Sequence, residues 1–216
     1  MLTDEGYRAV IDPLMDELKD AARMAVYFGV LRNLIFFKQK PSTSYRSRGG
    51  VTIDEIVLHG TESLGTQEQS ANSLATQTES IHYFIGRGQG LAYIIVAEEY
   101  QAFHAGNPKH RAGVEDHNPR SIGIEMYQKD ISLFKGDASK LDFTDWQYDT
   151  VSMLCYHICH RRGIARADIV GHGQINPVDR ASNEPRNFDR NKFNIKLDDI
   201  SNTLVGLLGS EFELPR

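Results

Sequence analysis

The sequence predicts an α/β fold in which a central mixed β-sheet is flanked by helices, with an N-terminal helical extension. Short apolar, strand-like runs alternate along the chain with segments whose apolar residues recur at helical spacing. The 216 residues suffice for one domain with a good core and one appendage. We therefore expect a helical extension and linker over residues 1–50 and a main domain over residues 51–216.

The first 50 residues have the pattern of that extension. Val10, Leu14 and Leu18 recur at helical spacing, and an apolar stretch follows over residues 21–37. This stretch contains charged residues and is shorter than the roughly 20 apolar residues that span a bilayer, so we expect no transmembrane segment. Residues 39–50, QKPSTSYRSRGG, are typical of a linker or an ordered loop.

The main domain contains five predicted strands, at residues 53–59, 82–87, 91–97, 121–127 and 169–170. The second and third are joined by GRGQG, which is typical of a hairpin turn. This glycine-rich turn lacks the GK[ST] ending of a phosphate-binding loop, and no helical pattern follows it. We therefore do not expect nucleotide binding.

Three helices are predicted in the same domain. The polar segment 65–78 leads into a short helix, and residues 197–208 form a C-terminal helix. Between them, Thr144 and Gln147 form a capping box that begins a longer helix ending near Gly163. On that helix Cys155 and Cys159 share the apolar face, which favours core cysteines over metal ligands or disulfides.

Charge and the N-terminus narrow the possible functions. The net charge of −5 argues against a nucleic-acid partner, because such domains usually carry a basic excess. The opening residues MLTDEGYR are acidic and precede no apolar signal region, so we expect synthesis in the cytoplasm without a signal peptide. The sequence does not indicate an oligomeric state.

Two histidines distant in sequence mark the candidate site. His59 closes the apolar run IVLH, and His172 lies in IVGHGQINP; each follows a strand-like stretch and precedes a loop. Between them, SIGIEM carries one carboxylate, Glu125, in an otherwise apolar run. Two imidazoles with an oxygen ligand form a catalytic zinc site with one position open, and a nearby carboxylate can shuttle protons. The pattern thus predicts metal-assisted amide hydrolysis.

The segments IVLHGTES, SIHYFIGRGQG, FHAGN, SIGIEM and IVGHGQINP, in this order, resemble zinc-dependent N-acetylmuramoyl-L-alanine amidases. This family is related to the peptidoglycan recognition proteins, and the resemblance covers residues 53–193. It implies that His59 and His172 bind Zn²⁺. The sequence departs from the family at the third ligand, for which Glu184 is the best substitute and Asp179 the alternative.

The resemblance also implies the other site residues. Glu125 would be the proton shuttle, and Phe103, His104 and Asn107 would contact the substrate. A family lysine that supports the oxyanion is missing, and Arg180 or Arg186 could supply the positive charge in its place. His82 is expected to be a packing and hydrogen-bonding residue.

The resemblance implies hydrolysis of the amide bond between N-acetylmuramic acid and L-alanine, in peptidoglycan or in muramyl-peptide fragments. The alternative is a catalytically inactive peptidoglycan-binding or regulatory module, which the irregular third-ligand region favours modestly. Such an enzyme could act in the cytoplasm on recycled fragments, or on the cell wall after release or export. The sequence leaves a recycling enzyme, a phage endolysin and an exported toxin open.

Overall fold

The computed structural model describes residues 37–88, 91–106, 116–177 and 184–215. Eight strands are present in these ranges: β1 (Phe37–Gln39), β2 (Arg46–Ser47), β3 (Glu55–Gly60), β4 (Tyr83–Ile85), β5 (Ala92–Ile94), β6 (Tyr100–Gln101), β7 (Ser121–Met126) and β8 (Ile169–Gly171). The α-helices in these ranges are α1 (Gln67–Thr76), α2 (Asp145–Arg162), α3 (His172–Ile175) and α4 (Arg190–Leu208), and short 3-10 helices lie at Ile131–Phe134, Ala138–Lys140, Arg166–Asp168 and Ser210–Phe212. The predicted mixed α/β fold is confirmed.

Six strands form the central sheet in the order β1-β5-β4-β7-β3-β8. The β4–β5 hairpin is antiparallel, and every other neighbouring pair is parallel. Strands β2 and β6 form a separate antiparallel pair. Because β3, β7 and β8 are parallel neighbours, their carboxyl ends lie at one edge, where the loops that follow them can meet.

Alternation along the strands gives the two faces of the sheet different roles. Ile56 and Leu58 of β3 and Ile122 and Ile124 of β7 join the larger core, which the apolar residues of α2 and α4 complete. A second core lies with α1 and includes Phe84 of β4. Since β3 and β7 pair in register, the intervening residues of both strands face away from the α2–α4 core.

The helix ends follow local sequence signals. Thr144 and Gln147 form the predicted capping box of α2, and Gly163 ends that helix with a left-handed φ of 70°. Helix α4 begins seven residues earlier than the predicted residue 197, because the Asp189 side chain accepts a hydrogen bond from the Lys192 amide and caps it. The first turn of α4 is mostly polar, so the apolar periodicity that predicts a helix begins only after it.

The two cysteines are free and buried in α2, as predicted. Burial raises the pKa of the Cys155 thiol well above its usual value, and raises that of Cys159 to about 12. Both thiols are therefore protonated at neutral pH and behave as small apolar residues.

The predicted boundary near residue 51 does not match the sheet. Strand β1 pairs with β5 at one edge of the central sheet, whereas the sequence pattern predicts that residues 37–39 belong to the extension and linker. Arg48 is buried, and its guanidinium donates to the carbonyl oxygens of Glu98, Pro119 and Ser121. The segment 37–50 is thus part of the folded domain, because its strands and Arg48 satisfy hydrogen bonds there.

The N-terminal helical extension, residues 1–36, lies outside the described ranges and stays a prediction. Within the ranges that the structure describes, no helix combines the length and the apolar character needed to cross a bilayer.

Candidate metal centre and cleft

His59 and Glu125 lie side by side on the central strands. They are direct register partners on β3 and β7, so their side chains leave the same face of the sheet near its carboxyl edge. Both are buried, and both line one cavity. The alternation of IVLH and SIGIEM produces this arrangement, because Leu58 before His59, and Ile124 and Met126 on either side of Glu125, point into the α2–α4 core.

His172 and Glu184 reach the same edge from β8 and from the segment before α4. Helix α3 begins at His172, directly after β8, so the imidazole lies beside the end of β3. The carbonyl oxygen of Glu184 accepts a hydrogen bond from the Gly173 amide, which ties the two segments together. Glu184 Oε1 then lies 3.3 Å from His172 Nδ1 and 3.9 Å from His59 Nδ1.

These three side chains fit a zinc ion. One ligand atom from each of His59, His172 and Glu184 lies within 4.8 Å of the others. Ligands at ordinary zinc distances in a tetrahedron are about 3.3–3.4 Å apart, close to the carboxylate–imidazole separations found here. Two neutral imidazoles and one carboxylate leave a fourth position for water or substrate, as in catalytic zinc sites. The chemistry of the donor set therefore matches the predicted cofactor.

His104 lies behind His59 and is buried. Its Nδ1 is 3.1 Å from His59 Nε2, and its Nε2 is 3.2 Å from Ser121 Oγ. The side chain of Asn118 accepts hydrogen bonds from the backbone amides of His104 and Ala105, which fixes this loop. Burial, followed by the neighbouring His82, lowers the pKa of His104 well below its usual value, so its imidazole is neutral.

Glycine at position 123 makes room for this imidazole. A Cβ there would lie 2.6 Å from the His104 ring and 2.4 Å from Ile81. The Gly123 amide donates to Nδ1 of His82, a second buried histidine. Burial and the neighbouring Arg48 lower the pKa of His82 to about 3. His82 thus has the packing and hydrogen-bonding role expected of it.

The candidate centre opens into a cavity of about 710 Å³, within the usual size range of ligand sites. Besides the three proposed ligands and Glu125, its described lining includes residues of the loop after β3, of α1 and its following turn, and of the loops around β6. Hydroxyl groups are frequent on the α1 side: Ser63, Ser70, Ser73, Thr78 and Ser80. The α1 side of the cavity thus offers several hydrogen-bonding groups to a substrate.

Arg46 is a cavity residue that the sequence pattern did not indicate. It is the one Lys or Arg among the described residues that line the cavity. Its guanidinium lies 5.7 Å from the centre of the Phe103 ring, donates to Gln101 and is 3.5 Å from Asp116. The mixture of basic and aromatic residues in SYRSR is typical of a ligand-binding surface, but the Pro, Ser and Gly content of the whole segment indicates a linker.

The sequence-predicted site residues fall into three groups. His59, His172, Glu184, Glu125, Phe103 and His104 all line the cavity. Arg186 does not belong to the described lining, and its guanidinium instead pairs with Glu62, with Nε 3.2 Å from Oε1. The geometry therefore gives Arg186 no contact with the reacting groups. Asn107, Asp179 and Arg180 lie outside the described residues, so their assignments stay predictions.

Comparison with solved structures supports the fold. A selenomethionine derivative of AmpD matches with a TM-score of 0.56 and 23% identity over 74% of this chain and 94% of that chain. AmiD from E. coli, in complex with anhydro-N-acetylmuramic acid-L-Ala-D-gamma-Glu-L-Lys, matches with a TM-score of 0.54 and 22% identity, covering 72% and 60% of the two chains.

AmpDh3 from Pseudomonas aeruginosa, in complex with an anhydromuramic pentapeptide, matches with a TM-score of 0.53 and 22% identity over 78% of this chain and 71% of that chain. At these identities the likeness shows a shared fold. No match was found among curated protein sequences.

The model of the N-acetylmuramoyl-L-alanine amidase family matches residues 49–187, which is more than half of the chain and contains the whole candidate centre. The chain therefore belongs to the N-acetylmuramoyl-L-alanine amidase family.

Proposed function

We propose that this protein is a zinc-dependent hydrolase of the amide bond between N-acetylmuramic acid and L-alanine. The observation that carries the proposal is the convergence of His59, His172 and Glu184 beside Glu125 in one cavity of a chain of the amidase family. A binding module would need the cavity but would have no use for a three-ligand set with a carboxylate next to it.

The residues of this chain have separate roles in the proposed reaction. His59, His172 and Glu184 would hold the zinc ion, which when bound lowers the pKa of a water molecule and polarises a carbonyl group. The Glu125 carboxylate takes a proton from the attacking water and passes it to the nitrogen of the departing L-alanine. The buried position of Glu125 limits competition from bulk water for this proton.

Muramyl peptides are the proposed substrate class. Two of the solved structures that share this fold are complexes with anhydromuramyl peptides. The cavity here has the size to accept such a molecule, and its lining offers the hydroxyl groups of the α1 side and the guanidinium of Arg46 as hydrogen-bonding groups. We propose action on recycled fragments in the cytoplasm or, after release or export, on the cell wall. Parallel assays on soluble muramyl peptides and on purified peptidoglycan would distinguish these substrates.

The first test combines zinc content with release of the stem peptide from a muramyl-peptide substrate. Wild-type protein, E125A and the control E99Q would be compared, because Glu99 is exposed and is not part of the described cavity lining. One equivalent of zinc in all three proteins, with turnover lost only in E125A, is the expected result. Absence of both zinc and turnover in the wild type would overturn the enzyme proposal and favour the peptidoglycan-binding alternative.

A further inference from the structure

We infer that His104 is a positioning residue that fixes the tautomer of His59 through a chain of three hydrogen bonds. The chain runs from the His117 carbonyl through Ser121 and His104 to His59. It directs the unprotonated Nδ1 of His59 toward Glu184, where the metal would lie. The inference deepens the proposed function and rests on it for the identity of the metal, but the hydrogen-bond chain is a property of the protein itself.

The first bond sets the direction of all the others. Ser121 Oγ lies 2.6 Å from the carbonyl oxygen of His117. A carbonyl oxygen can only accept, so the single hydroxyl proton of Ser121 is used in this bond. Toward His104 the hydroxyl therefore offers a lone pair, and the donor across the 3.2 Å separation must be His104 Nε2.

The second step follows from the surroundings of the His104 ring. The ring is buried, and its hydrogen-bond partners among the described residues are a hydroxyl group and an imidazole, with no carboxylate that would stabilise a cation, so it carries one ring proton. With that proton on Nε2, Nδ1 has a lone pair, and this nitrogen is 3.1 Å from His59 Nε2. His59 must then donate from Nε2, because two lone pairs cannot form a hydrogen bond.

The third step places the metal-binding lone pair. A neutral imidazole with its proton on Nε2 is unprotonated at Nδ1, and Nδ1 of His59 is the nitrogen that faces Glu184 Oε1 at 3.9 Å. A lone pair and a carboxylate oxygen that face each other at this distance repel unless a cation lies between them. A hydrogen-bond partner on the far nitrogen is the usual way in which proteins orient a metal-binding histidine.

Two further features hold His104 in this position. Asn118 binds the backbone of the His104 loop, and Gly123 leaves space for the ring against β7. His172, by contrast, has a buried Nε2 with no hydrogen-bond partner within the described ranges. The protein thus fixes the tautomer of His59 through His104. No described residue does the same for His172 through its Nε2.

Long-range ¹H–¹⁵N NMR of metal-free protein tests the inference directly. At a pH where His59 is neutral, the wild type should show its proton on Nε2 and an unprotonated Nδ1. In H104L this preference should be lost, whereas H104N should retain part of it, because the asparagine oxygen lies near the position of His104 Nδ1. H160N, at a histidine on the far end of α2, is the control and should match the wild type.

S121A is the second variant and removes only the hydroxyl group. Without its lone pair, His104 can carry its proton on Nδ1, and His59 should then show a mixture of tautomers. Zinc affinity, measured by competition with a chelator, should fall about 10- to 100-fold in S121A and H104L, and less in H104N. Wild-type values in S121A and H104L for both the tautomer and the zinc affinity would overturn the inference.

The two readouts separate this inference from the proposed function. If the metal-free NMR shows the expected tautomer but the protein neither binds zinc nor hydrolyses muramyl peptides, the hydrogen-bond chain holds and the amidase proposal fails. If the wild type is an active zinc enzyme whose metal-free His59 carries its proton on Nδ1, the amidase proposal holds and the positioning role fails.

Discussion

His59 and Glu125 are register partners on the parallel strands β3 and β7, and both side chains leave the sheet on the face opposite the α2–α4 core. A proposed metal ligand and the proposed proton shuttle are thus held by backbone hydrogen bonds of two central strands. Sites built on such strands keep their geometry better than sites built on loops, which suits a reaction that needs water, carboxylate and carbonyl close together.

Replacement of Glu125 by glutamine should abolish proton transfer while leaving the metal site intact. The amide has nearly the same shape as the carboxylate but cannot act as a base. We expect the turnover number to fall about 10²- to 10⁴-fold, the usual contribution of a general acid–base residue. Zinc content and steady-state hydrolysis of a muramyl peptide would be measured together. Full activity in E125Q would contradict the shuttle role.

Removal of Glu184 should weaken zinc binding far more than removal of Asp179. Glu184 Oε1 lies between the two histidines, and its loss removes one of three proposed ligands. We expect E184A to lose more than about 100-fold in zinc affinity, beyond the effect typical of a residue that only orients a ligand. D179A is the matched comparison. If D179A lost zinc and E184A retained it, the ligand assignment would pass to Asp179.

Alanine at Gly171 should disturb the third ligand without unfolding the protein. A Cβ there would lie 2.5 Å from the carbonyl oxygen of Glu184, so that backbone must shift. We expect a loss of about 1–3 kcal/mol in the free energy of unfolding, as for other overpacked sites, together with weaker zinc binding. Urea denaturation and chelator competition would measure the two effects.

The control for this substitution is G206A. A Cβ at Gly206 in α4 meets no atom within 4 Å, and alanine favours a helix by about 0.5–1 kcal/mol over glycine. This variant should be slightly more stable, with unchanged zinc affinity. Equal zinc affinity in G171A and G206A would show that the Glu184 segment tolerates the displacement.

Acid should destabilise the protein partly through His82. Its pKa falls from 6.5 to about 3 on folding, so between these values the unfolded chain binds more protons than the folded one. The contribution of neutral His82 to the free energy of unfolding is fully present above pH 6.5. It is lost as the pH falls toward 3, and the loss is of the order of a few kcal/mol. Urea denaturation across this range should show a shallower loss for H82N than for the wild type. Identical pH slopes would exclude this contribution.

The chemistry-bearing residues at strand ends could be found from the sequence. His59 and Glu125 stand out because apolar, strand-like residues surround each of them, and His172 follows a short apolar run. The capping box at Thr144 and the buried cysteines of α2 were also predictable, because they depend on contacts within one or two turns of helix. These features are local, and local patterns are what a single sequence encodes most directly.

The role of segment 37–50 could not be predicted in this way. Its composition is that of a linker, yet β1 pairs with β5, and Arg48 and Arg46 take places in the core and in the cavity. The partners of these residues lie about 50 to 70 positions away along the chain. Hydrogen bonds of such long range leave no periodic trace in the segment that makes them.

The sequence by itself determined the fold class, the family and the identity of the polar residues at the ends of β3, β7 and β8. Only the tertiary structure decided how these residues meet: Glu184 beside both histidines, His104 behind His59, and Arg186 with Glu62 instead of the reacting groups. The physical reason is that donor and acceptor roles and ligand distances depend on where separate segments pack, and one-dimensional spacing does not carry that information.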